Sequence, residues 1–157
     1  NIAHLNIAPH NILVSVGSGR AFVSDFGNSF FLETDQKISD GQFQLGTRGC
    51  EGFQAPEVLV PGAFYNPVQA DIWSLGVVLL CMISGYFFEN DSVAEELSAI
   101  EGLPPECYDL LTKMIAVDPK RRLSIENILQ HPFIVQYPEI ERARSPLMGR
   151  IRRMITR

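Results

Sequence analysis

Apolar residues gather early in two short β-rich runs, Ile12 to Val16 (ILVSV) and Ala21 to Val23 (AFV), on either side of Gly17-Ser18-Gly19-Arg20. β-Branched and aromatic residues flanking a glycine-rich turn predict a hairpin. From Gly27 to Gln54 the chain mixes Asn, Ser, Thr, Asp, Gly and Gln with scattered Phe. With no sustained period of 2 or 3.6, this stretch predicts a long loop, and loops of such length are usually functional or disordered. After Pro67 the run VQADIWSLGVVLLCMIS is apolar on nearly every face and ends at Gly85. It predicts a helix buried at the centre of the domain, with Gly85 as its C-cap. Ser92-Val93-Ala94-Glu95 has the S-x-x-E spacing of a capping box ahead of AEELSAI. Pro104-Pro105-Glu106 opens a further helix whose Leu110, Leu111, Met114 and Ile115 recur at helical spacing. Ser124 caps a last helix, IENILQH, stopped by Pro132. The plan is a short hairpin, a long loop and four or so helices.

At 157 residues, 46% apolar and 20% charged, the chain is sized for one domain with one core, which excludes the disordered and collagen-like classes. The longest nearly apolar stretch, Ile72 to Ile83, is short for a bilayer and is interrupted by Ser74 and Gly76, so no membrane span is expected. The sequence opens on Asn1 with no charged-then-apolar leader, the expectation for an internal fragment. Cys50, Cys81 and Cys107 form no C-x-x-C pair and have no close His pair beside them, which gives zinc and redox motifs little support. Buried, reduced thiols are expected, in an intracellular protein of the cytoplasm or nucleus.

The net charge of -5 argues against a chain-wide footprint for nucleic acid. The end of the chain differs: Arg142, Arg144, Arg150, Arg152, Arg153 and Arg157 stand against only Glu139 and Glu141. The division read from this pattern is a domain over 1–136 and a basic tail over 137–157. The tail is either a solvated end or a contact for a partner or a membrane surface.

Candidate chemistry begins at Asp25, a carboxylate that follows a predicted strand and precedes Phe26-Gly27. It suits a Mg²⁺ ligand, and it equally suits an ordinary turn carboxylate. The wider order settles more: His4-Leu5-Asn6-Ile7-Ala8-Pro9-His10-Asn11, the hairpin, Asp25-Phe26-Gly27, a loop, Ala55-Pro56-Glu57, Asp71-Ile72-Trp73-Ser74-Leu75-Gly76 and Asp118-Pro119-Lys120-Arg121-Arg122. This order resembles the C-terminal lobe of a eukaryotic protein kinase, most like the serine/threonine kinases, and the resemblance runs to about Ile134. It implies an α+β, protein-kinase-like fold: a mainly α-helical C-lobe with a short β-hairpin and an activation segment. The family's N-terminal lobe, with its glycine-rich loop and strand lysine, has no counterpart in the chain: either it lies upstream, which Asn1 favours, or the natural product is a truncated lobe.

By resemblance, Asn11 and Asp25 match the family's Mg²⁺ ligands, and ATP with Mg²⁺ would be the cofactors if nucleotide binding is retained. Glu57 should pair with Arg122, and Asp71 should accept hydrogen bonds from the catalytic-loop backbone. His4, Phe26 and Gly27 take structural places, with His4 orienting or packed, and Trp73 and Ser74 are read as core packing.

Four positions depart from the family's pattern. Asn6 stands where the family has its catalytic Asp, and an amide is no base near neutral pH. Ala8 replaces a lysine near the transferred phosphate. Aligned as Gly49-Cys50-Glu51-Gly52-Phe53-Gln54, Cys50 replaces a threonine whose partners would be residues 6 and 8. The alternative pair Gly46-Thr47 sits three residues too far from Ala55. Leu5 also replaces the arginine that meets a phosphorylated activation loop. Ser39 and Thr47 are read as phosphorylation positions or plain loop hydroxyls. The resemblance therefore implies a pseudokinase that binds a protein partner. The alternatives are an active kinase with an atypical catalytic loop that acts on a protein substrate, or a decayed fragment.

Overall fold

The structure, a computed structural model, describes residues 2–32, 41–87 and 93–136. Ser39, the Ser92 half of the expected capping box and the basic tail over 137–157 lie outside the described residues.

The hairpin forms from β2 (Ile12–Val14) and β3 (Ala21–Val23), antiparallel with Leu13 opposite Phe22. Its first strand is shorter than expected. Ser15 and Val16 belong to the connection, which closes through Ser15 N–H to Arg20 O and Gly19 N–H to Ser15 O. A second two-stranded sheet pairs β1 (Ile2–Ala3) with β4 (Phe30–Phe31). It lies partly inside the stretch expected to be loop. That stretch also holds a 3-10 turn at Phe26–Asn28 and a single bridge from Phe43 to Tyr65.

Helix α1 (Pro67–Ser84) forms where Pro67, whose missing N–H is harmless in a first turn, follows Asn66. The Asn66 side chain accepts from Val68 N–H and Gln69 N–H at 2.9 and 3.1 Å, capping two donors that the first turn leaves over. The helix ends at Gly85, whose N–H returns to Cys81 O. It is longer than the apolar run that first marks it, and by length and composition it is apolar enough to cross a membrane. Eleven of its residues are buried, so that apolar surface is used within the fold.

Beyond it come α2 (Val93–Ala99), α3 (Pro105–Met114), α4 (Ile125–Leu129) and α5 (Pro132–Val135). Ser124 caps α4 through Asn127 N–H as expected. Pro132 does more than stop the preceding helix: it is the first residue of α5, and His131 Nδ1 accepts from Phe133 N–H to cap it.

The core lies between α1 and α3, where Val77, Leu80 and Ile83 join Leu110, Leu111 and Met114 in full burial. Gly76 sets their approach. A methyl group on its Cα would stand 2.9 Å from Met114 Cβ and 2.8 Å from Ile115 Cγ2, so only glycine lets these helices close to this distance. None of the three cysteines is in a disulfide, but only Cys81 and Cys107 are buried. Burial pushes the Cys107 thiol up to about 11. Cys50 departs from the expected burial, because its segment runs along the surface and leaves it half-covered.

Candidate functional site

The loop from His4 to Asn11 is held on the N-terminal half of α1 by Asp71, whose carboxylate accepts His4 N–H at 2.6 Å and Leu5 N–H at 2.7 Å. Burial pushes this carboxyl up to about 6, against the downward pull of the two N–H groups. Presenting both N–H groups to one carboxylate bends the backbone at Leu5 to φ +59°, a left-handed conformation unfavourable for leucine. His4 is buried, its Nδ1 accepting from Asn6 N–H at 3.2 Å and its Nε2 lying 2.9 Å from Ser24 O. With Nδ1 accepting, the Nε2 side is the one that faces the Ser24 carbonyl as donor. Its ring meets Phe26 edge-on, with centroids 4.8 Å apart.

Asp25 follows β3 with φ +60°, so that its side chain turns back over the next residues and accepts from Gly27 N–H at 3.3 Å. Its other oxygen accepts from Asn6 Nδ2 at 2.8 Å. Asn11 Nδ2 in turn donates to Asn6 O at 2.8 Å, so Asn6, Asn11 and Asp25 form one hydrogen-bonded group. Asn6 and Cys50 line the same shallow depression, with Ile7, Arg48 and Gln54. The Cys50 thiol donates to Glu51 O at 3.5 Å, and Ala8 is wholly buried.

The segment before α1 is anchored in several places. Glu57 lies in a 3-10 turn at Pro56–Val58 and pairs through both carboxylate oxygens with the Arg122 guanidinium, at 2.6 and 2.8 Å. Arg122 also donates to Ala116 O and Gln69 O, each at 2.8 Å, and stacks over Trp73. Ser74, read from the sequence as packing alone, donates to Phe53 O at 2.7 Å. Gly49 has φ +91°, and a Cβ there would fall 2.5 Å from Leu5 O, so this position admits glycine alone.

Arg48 and Gln54 were not singled out by sequence reasoning. Arg48 donates from Nε to Leu45 O at 3.0 Å and from Nη1 to Asn28 O at 3.2 Å. Gln54 Nε2 donates to Arg48 O and Gly49 O at 3.1 and 3.2 Å. Their acceptors are main-chain carbonyls, which carry no residue-type signal.

The chemistry of the donor set suits a hard cation: one carboxylate and one amide oxygen, on Asp25 and Asn11. Among the described residues, no group of three or more His, Cys, Asp or Glu side chains is placed to hold a metal ion. A Mg²⁺ held by Asp25 and Asn11 would therefore need further oxygens, of the kind nucleotide phosphates supply.

The family described as "Protein kinase domain" matches residues 1–134. The chain belongs to the protein kinase family. It is 33% identical over 144 residues to a probable serine/threonine-protein kinase of Dictyostelium discoideum, covering 86% of this chain and 16% of the relative. It is 32% identical over 143 residues to the SNF-related serine/threonine-protein kinase of Homo sapiens, covering 85% of this chain and 18% of that protein. The serine/threonine-protein kinase kin-29 of Caenorhabditis elegans is 35% identical over 139 residues, with 83% of this chain and 16% of the relative covered. The chain thus spans less than a fifth of the length of each of these relatives. Its helical body and short hairpin are the C-terminal region of a kinase-like domain, in a family that uses ATP and Mg²⁺. Residues 41–54 lie between Asp25-Phe26-Gly27 and Ala55-Pro56-Glu57, where the family has its activation segment.

Proposed function

We propose that this kinase-like lobe has lost phosphotransfer and acts by binding a protein partner. The observation that carries the reading is the hydrogen bond from Asn6 Nδ2 to Asp25 Oδ2. A catalytic base at position 6 would have to accept the substrate hydroxyl's proton. Asn6 instead directs an N–H donor at the neighbouring carboxylate, and an amide oxygen is far too weakly basic for the task. Ala8 adds support, because a wholly buried methyl group offers no charge to a phosphoryl oxygen. Asp25 and Asn11 are the residues that would hold Mg²⁺ with bound nucleotide, whose phosphate charge the ion would neutralise. Asn6 holds one Asp25 oxygen in a hydrogen bond that such binding must share or displace.

A second reading, an active serine/threonine kinase with an atypical loop, draws on the Asp71 contacts to His4 and Leu5 and on the Glu57–Arg122 pair. These keep the loop and the activation segment in place, and phosphoryl transfer depends largely on positioning and electrostatics. The deciding experiment is phosphotransfer with MgATP by the longest natural product that contains this chain, alongside Asn6→Asp and Asp25→Ala. The proposal expects no transfer by the wild type. Transfer that Asp25→Ala abolishes would establish the second reading instead.

A further inference from the structure

We infer that Arg48 clasps the activation segment, residues 41–54, to the turn after Asp25-Phe26-Gly27 without need of a phosphate. The inference rests on reading this segment and Leu5 by their kinase-family positions. It does not depend on whether phosphotransfer is lost.

Leu5 occupies the place of the arginine that meets an activation-loop phosphate in the family, and it is buried and apolar. A phosphate on this segment has no guanidinium to meet there. The guanidinium of Arg48 stands on the segment itself and donates to Leu45 O within its own turn and to Asn28 O across the site. Both acceptors are main-chain carbonyls, present in every modification state, and hydrogen bonds from a charged donor are stronger than neutral ones.

Arg48 is also held from behind, because Gln54 Nε2 donates to Arg48 O and Gly49 O. Gly49 lies so close to Leu5 O that the backbone at this point has little freedom to shift. The rest of the segment is tied to the approach to α1. Phe43 and Tyr65 exchange backbone hydrogen bonds at 2.9 and 3.1 Å, Tyr65 Oη donates to Gly46 O at 2.8 Å, and Gln44 Nε2 donates to Gly62 O at 3.0 Å. The segment is thus fixed to the loop before α1 and, through Arg48, to the turn beyond Asp25. Arg48 is a positioning residue in this arrangement.

The test is amide hydrogen exchange, read peptide by peptide on the longest natural product before and after phosphatase treatment, for wild type, Arg48→Ala and Arg48→Lys. In the wild type, protection of 41–54 is expected to be the same in both states. Arg48→Ala should speed exchange in 46–54 and 28–31 by about tenfold or more, with α1 unchanged. Lysine keeps the charge but lacks the planar fork that reaches two carbonyls, so Arg48→Lys should fall between. Unchanged exchange in 46–54 of Arg48→Ala, or loosening of the wild-type segment by phosphatase alone, would overturn the inference. If Arg48→Ala also loosens α1, Arg48→Lys decides: an intermediate effect confined to the segment supports the clasp, and any other result overturns it. Because exchange reads order and not turnover, failure here leaves the phosphotransfer result standing.

Discussion

Asn6 Nδ2 donates to Asp25 Oδ2 at 2.8 Å, so the residue in the position of the family's base occupies one oxygen of the carboxylate opposite it. Replacing Asn6 by Asp exchanges that donor for a second acceptor. Two carboxylates at hydrogen-bond distance cannot both ionise freely, so one pKa rises. An acid raised on folding contributes stability at low pH that is lost as pH rises through its folded value. Asn6→Asp should therefore be near wild type at pH 5 and less stable by about 1–3 kcal/mol at pH 8, with Mg²⁺ returning part of the loss. Urea unfolding at the two pH values, with and without Mg²⁺, measures this. Equal stability of variant and wild type at pH 8 would mean that the hydrogen bond carries no energy.

Arg122 invites a larger effect. Its side chain is fully buried and serves both Glu57 oxygens, two carbonyls at 2.8 Å and the face of Trp73. Removing one partner of a buried ion pair leaves the other charged and unpaired, at a cost of about 3–5 kcal/mol. Arg122→Ala is expected to lose that much in equilibrium unfolding. Arg122→Lys should lose roughly half or more of it, since an ammonium satisfies neither the bidentate geometry nor the stacking. A lysine variant as stable as wild type would show that charge alone holds the Pro56–Val58 turn.

Helix α1 was legible because one segment carried every signal at once: Pro67 at its start, an apolar run too long for a strand and Gly85 at its end. The β1–β4 sheet was not, because two-residue strands have no alternation to read. Family resemblance singled out Asn6 and Glu57 as positions, but not the direction in which the Asn6 amide points. It grouped Cys50 with residues 6 and 8; Asn6 and Cys50 do line one depression, while the thiol donates to Glu51 O and Ala8 is enclosed. Arg48 escaped notice because carbonyls three and twenty residues away leave no trace in residue identity.

Gly76 sets propensity against packing. Alanine in place of glycine inside a helix gains about 1 kcal/mol in isolation. Here the new methyl would meet Met114 Cβ at 2.9 Å, and a Cβ cannot swing aside without its backbone. Overpacking of this kind costs about 1–3 kcal/mol beyond the propensity gain, so Gly76→Ala should lower the melting temperature by several degrees. A raised melting temperature would mean that α1 and α3 separate more easily than their fully buried contacts suggest.

Asp71 opposes two physical effects in one carboxyl. The His4 and Leu5 N–H groups favour its charge, burial disfavours it more, and the folded value rises from 3.8 to about 6. The folded state then binds a proton between about pH 4 and pH 6 that the unfolded chain has released. Its contribution to stability is therefore fully present below the unfolded value and lost as pH rises through the folded one. Relative to Asp71→Asn, which cannot titrate here, the wild type should lose on the order of 2–3 kcal/mol between pH 4 and pH 7. The asparagine variant also leaves one of the two N–H groups without an acceptor, a fixed cost at every pH that shifts the curve but not its slope. Chemical unfolding of both proteins across this range isolates the slope. A difference that grows in favour of the wild type as pH rises would falsify the assignment and show that the two N–H groups outweigh burial.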